Sequence, residues 1–100
     1  NDKGDLGTNP EELIAAALAG CFNMKLSFVL NEKNYHPIEL NTDAILTFED
    51  GKIVEILLKL IAKVPEISKS LFDELVLEAK KNCPISGALN CDISVNAVLD

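Results

Sequence analysis

Between Leu13 and Leu30 the chain is apolar at almost every position, interrupted mainly by Asn23, Lys25 and Ser27. Few folds are open to a stretch of this kind. Its start carries helix signals: Asn9 can cap, Pro10 suits the first helical position, and Glu11 and Glu12 place negative charge in the first turn. Glu12, three residues after Asn9, resembles a capping box. The pattern predicts a helix that is apolar on every side, and such a helix is either a buried core element or a membrane span. About 18–20 residues suffice to cross a bilayer, so length allows both. Asn23 and Lys25 lie near the middle, where a charge is costly in lipid, and alanine is abundant. The core reading is therefore taken, with no membrane as partner.

A buried helix needs cover, and the chain has only 100 residues. A domain of this size buries about 65% of the surface its unfolded form exposes. After a connection over Asn31–Pro37, residues Ile38, Leu40, Thr42, Ala44, Leu46 and Phe48 alternate on one face of a predicted strand. Asp50-Gly51 is a hairpin signal. Lys52–Val64 reads as the return strand, with Lys59 and Lys63 on one face and Pro65 at its end. Ser68–Asn82 has apolar residues at helical spacing (Leu71, Phe72, Leu75, Val76, Ala79), and Lys80 and Lys81 suit its last turn. Pro84 starts a short further turn, and Ile93–Leu99 alternates as a last strand. The expected fold is α+β: a long buried helix on an antiparallel sheet, in a single domain spanning residues 1–100. Three strands cover so apolar a helix thinly. More sheet is expected from sequence before Asn1, from a second copy, or from both.

Charge narrows the partners. Nine basic residues stand against sixteen acidic ones, giving a net charge of −7, and all nine are lysine. That balance argues against nucleic acid or an anionic membrane surface, since phosphate contacts need basic side chains. Three cysteines are too few for a disulfide scaffold, so a reducing cytoplasm with free or reactive thiols is expected. No signal-peptide pattern is present.

The chemistry-bearing candidates are the thiols. Cys21 lies inside the apolar helix and is either a buried structural cysteine or a reactive one. Gly20 beside it weakens a helix relative to alanine, which suggests close approach of another group. Glu11 and Glu12 lie upstream on the same helix, which could line a pocket. Cys83 sits where a helix ends and a Pro-started turn begins, so it is either tucked under the last turn or activated by backbone N–H groups. Cys91 reads as strand packing. His36 is the one histidine and reads as a turn residue, and no ligand set for a metal can be assembled. No cofactor is expected.

Thr8-Asn9-Pro10-Glu11-Glu12-Leu13, an Ala-rich helix and then Cys21-Phe22 resemble the first motif of the OsmC/Ohr family, the osmotically inducible and organic-hydroperoxide-resistance proteins. Val64-Pro65 and Ala79-Lys80-Lys81-Asn82-Cys83-Pro84-Ile85-Ser86 match the family as well. The likeness runs from Gly7 to Leu99 and is nearer the OsmC branch. It implies an intertwined homodimer with two long central helices, acting as a thiol peroxidase on organic hydroperoxides. Cys21 would be the peroxidatic cysteine and Cys83 the resolving one, with a lipoyl-type dithiol as reductant. Glu11 would match a glutamate that bonds a catalytic arginine. Leu18, Phe22 and Met24 would suit the alkyl part of the substrate. The chain departs from the family in having no arginine, in Glu66 where glycine often follows Val-Pro, and in the extra Cys91. The family's arginine lies upstream of the Asn-Pro-Glu motif, so the expectation is a chain lacking an N-terminal β segment. The rival is a non-catalytic member of the fold, structural or holding a lipid-like ligand.

Overall fold

The structure, a computed structural model, describes residues 10–100. The Asn1–Gly7 loop, Thr8, the Asn9 cap and its capping box lie outside them. Six elements follow in order: α1 (Pro10–Glu32), β1 (Glu39–Glu49), β2 (Lys52–Lys63), α2 (Lys69–Asn82), α3 (Pro84–Ala88) and β3 (Asp92–Leu99).

α1 has 23 residues and is about 35 Å long at 1.5 Å per residue. It runs two residues past its expected end and closes in a Schellman motif. Asn34 takes a left-handed φ of 66°; its N–H bonds the Asn31 carbonyl at 3.0 Å, and the Tyr35 N–H reaches back to Leu30 at 2.9 Å. His36, read as a turn residue, lies instead in the irregular connection beyond the turn, its Nδ1 2.7 Å from Asn31 Oδ1.

β1 and β2 form the expected hairpin. Asp50 and Gly51 both have positive φ, 52° and 77°, as a type I′ turn demands. Thr47 pairs with Glu55 and Phe48 with Ile53, so a bulge at Val54 shifts the register. Phe48 leaves the alternation there and is exposed.

The last strand corrects the expected antiparallel sheet. β3 joins β2 in parallel, Glu55 opposite Asp92 through Ala62 opposite Leu99, so the sheet is mixed, in the order β1-β2-β3. The reason lies in the connection. α2 and α3 carry the chain from the end of β2 back to its start, and a strand–helix–strand crossover returns parallel. Ser68 caps α2, its Oγ accepting from the Leu71 N–H at 3.2 Å.

One face of the sheet carries the core. Ile56, Leu58, Leu60 and Ala62 of β2 meet Leu18, Phe22, Leu26 and Leu30 of α1 and Phe72, Leu75, Val76 and Ala79 of α2. Burying each large apolar side chain stabilises the fold by about 1.5–3 kcal/mol. By length and composition α1 could cross a membrane; here one of its faces closes this core. It is not buried all round. Leu13, Met24 and Phe28 on its other face are 60%, 75% and 55% exposed, because a single three-stranded layer covers only one side.

Asn23 pins the helix to the sheet. The Thr42 hydroxyl of β1 donates to Asn23 Oδ1 at 2.5 Å, and Asn23 Nδ2 lies 3.5 Å from the Leu40 carbonyl.

Candidate active site

Cys21 projects from the middle of α1 toward the junction of α2 and α3. Cys83 occupies that junction alone: it ends α2 and begins α3 with one extended backbone conformation, φ −70° and ψ 119°. An α-helix cannot continue into Pro84, because the proline ring disfavours helical geometry in the residue before it. The chain therefore turns at Cys83, and Pro84 restarts it at the first position of α3. Ser86 steadies the turn. Its Oγ stands 3.0 Å from the carbonyls of both Lys80 and Cys83, so its one proton can be donated to Lys80, an acceptor near the end of α2, or shared with Cys83, which also accepts from the Gly87 N–H. The sequence carries a signal for this, a serine two residues into a Pro-started turn.

The two sulfurs lie 2.7 Å apart, in hydrogen-bond contact. Both are free thiols. Cys83 is 2% exposed and Cys21 half-buried. A disulfide needs about 2.05 Å between sulfurs, so a small closure would suffice to join them.

Burial pushes the Cys21 thiol above its ordinary range, and the neighbouring Cys83 adds to this by its hydrogen bond and charge; the Ile85 backbone N–H and the Lys25 ammonium pull the other way. Of the two readings open for Cys83, the structure favours the one tucked under the last turn: it is buried and makes no side-chain cap bond, and the Ile85 N–H addresses Cys21.

Beside Cys21 lies an apolar cavity of about 580 Å³, bounded by Ala17, Gly20, Met24, Lys25 and Phe28 of α1 and by Pro84 and Ile85 of α3, with Ala16 at its edge. Met24 lines it as expected, whereas Leu18 and Phe22 point into the core. Among the described residues nothing crowds Gly20: a Cβ there would meet nothing within 4 Å. Glu11 stands in the first turn of α1, about 15 Å along the axis from Cys21, and does not line the cavity. Cys91 precedes β3 and packs partly buried against the core. Among the described residues no three His, Cys, Asp or Glu gather to hold a metal ion.

Comparison with known proteins agrees with this arrangement. The family model described as OsmC-like protein matches residues 2–98. The chain is 40% identical over 98 residues to the peroxiredoxin OsmC of Escherichia coli, covering 94% of this chain and 68% of the relative. It is 30% identical over 102 residues to the organic hydroperoxide resistance protein OhrB of Bacillus subtilis, covering 97% and 73%. The crystal structure of that OhrB superposes with a TM-score of 0.67 at 32% identity, covering 97% of this chain and 73% of that one. An OsmC-like protein from Vibrio cholerae shares the fold, with a TM-score of 0.81 at 18% identity over 92% of this chain and 65% of its own. The chain thus spans about two thirds to three quarters of the length of these relatives. With the match extending over nearly every residue and its two cysteine motifs meeting in space, this chain belongs to the OsmC-like family.

Proposed function

We propose that the protein reduces organic hydroperoxides to alcohols, with Cys21 as the peroxidatic and Cys83 as the resolving cysteine. The observation that carries this reading is the pair of free thiols 2.7 Å apart at the wall of an apolar cavity. The names of the relatives, a peroxiredoxin and an organic hydroperoxide resistance protein, support it.

The Cys21 thiolate attacks the distal peroxide oxygen and the O–O bond breaks. Sulfur takes the hydroxyl as a sulfenic acid, and the alkoxide is protonated to the alcohol. Cys83 then attacks that sulfur, water leaves, and a disulfide forms. A lipoyl-type dithiol restores both thiols by exchange. The apolar cavity suits an alkyl group better than hydrogen peroxide. A homodimer and a cytoplasmic site of action belong to the same proposal, with the exposed apolar face of α1 meeting a second copy. Glu11 is proposed to act on a basic group beside the substrate: Glu11→Gln should lower turnover while leaving Cys21 alkylation unchanged, and unaltered turnover removes Glu11 from the site.

The test is titration of the reduced protein with one equivalent of cumene hydroperoxide, followed by thiol counting and non-reducing peptide mapping. The expected result is loss of two thiols, a Cys21–Cys83 link and a free Cys91. Survival of all three thiols would refute the reading and favour a non-catalytic protein whose cavity holds a lipid-like molecule.

A further inference from the structure

One group at the cavity has no task in the peroxidase scheme. Lys25 follows Cys21 by one helical turn, the spacing that brings side chains onto one face with Cβ atoms about 5–6 Å apart. A lysine in so apolar a stretch would ordinarily extend its ammonium into water. Here its Nζ lies over the Phe28 ring, 5.2 Å from the centroid, and both residues line the cavity beside Cys21. Cation–π attraction at such a half-exposed ring is modest. Among the described residues Lys25 is the one charged side chain lining that cavity, and the rest of its wall is apolar apart from the thiol.

A thiol facing apolar surroundings keeps its proton unless positive charge is near. The groups that bear on Cys21 come from three places. Cys83 at the α2–α3 junction holds the proton on, while the Ile85 N–H of α3 and Lys25 of α1 draw it off. Of the two that oppose burial, the Ile85 backbone N–H acts more strongly, and Lys25 is the one side chain. No charged residue of the sheet lines the cavity.

We propose that Lys25 is the charge-supplying positioning residue of this site: its ammonium, held over Phe28 on the cavity wall that Cys21 shares, favours the reactive thiolate. The inference rests on the peroxidase reading for its purpose, but its test does not need peroxide. Iodoacetamide reacts with the thiolate alone, so the rate of Cys21 alkylation against pH, followed by peptide mapping, reads the coupling directly. Lys25→Met is expected to slow Cys21 alkylation at neutral pH about three- to tenfold and displace the profile to higher pH. Lys25→Arg, which keeps the charge, is expected to stay within about twofold of wild type. Lys25→Gln gives the same reading as Met if the Met variant fails to fold. A profile unchanged in the uncharged variants, or an Arg variant as slow as Met, would overturn the proposal. A wild-type protein that alkylates normally but ignores cumene hydroperoxide would instead sink the peroxidase reading and leave the Lys25 coupling intact.

Discussion

Thr42 of β1 donates its hydroxyl proton to Asn23 Oδ1 of α1 across 2.5 Å, a polar contact set between an apolar helix and its sheet. It gives Asn23 a reason to stand in the apolar stretch. It also fixes how α1 is rotated, and therefore which way Cys21, two residues earlier, points. Removing one partner leaves the other partly buried and unbonded, which costs about 1–3 kcal/mol. Asn23→Ala and Thr42→Val should each destabilise by that order, and the double variant should lose less than the sum. Urea unfolding checks this, and strict additivity would show that the contact contributes nothing.

Glu66 adopts a left-handed backbone, φ 71°. The family resemblance expects glycine at this position, and the conformation explains why: a side chain there meets its own backbone, at roughly 1–2 kcal/mol. Glu66→Gly should therefore stabilise by about 0.5–1 kcal/mol, the relief being partly offset by the greater freedom of glycine in the unfolded chain. A lower melting temperature for Glu66→Gly would contradict this account.

The Cys21 thiol is raised on folding, by burial first and by Cys83 second. Native protein therefore holds this proton at pH values where the unfolded chain has released it. The resulting stabilisation is complete below the ordinary thiol range and is lost as pH rises through the native value. Stability should fall as pH rises through the ordinary thiol range and beyond it, and Cys21→Ser should remove part of that slope. Parallel pH curves for the two proteins would show that the thiol is not perturbed.

The outer face of α1 presents Leu13 and Met24 to solvent, at 60% and 75% exposure. With the proposed homodimer formed on this face, Leu13→Glu and Met24→Glu should convert it to monomer, because a buried unpaired carboxylate is strongly unfavourable. Light scattering on a sizing column reads the mass. A wild-type monomer at micromolar concentration would rule the dimer out.

Much of this arrangement was legible in the residues. Pro10, Glu11 and Glu12 marked where α1 starts, Asp50-Gly51 named the turn, and Ser68 and Pro84 bounded the two later helices, because each is a local steric or hydrogen-bonding rule. What was missed was non-local. Alternation in Ile93–Leu99 shows a strand but not its direction, which the crossover through α2 decides. The apolar run showed that α1 seeks cover but not that only one face receives it. Asn23 looked like an interruption because its partner lies 19 residues away. The meeting of Cys21 and Cys83 came from resemblance and not from spacing. The cation beside Cys21 was hidden for the same reason that it is effective: one lysine in an apolar stretch reads as a solvent-seeking side chain until the cavity around it is seen.

Cys83 is the single cap residue between two helices, and its sulfur touches a residue of a third helix 62 positions earlier in sequence. A bond between the two sulfurs would turn more than half of the described chain into a closed ring. By loop-closure entropy alone such a ring removes about 4 kcal/mol of freedom from the unfolded state. The oxidation state of two atoms would then be written into the heat resistance of the whole molecule, so that a melting curve serves as a redox gauge.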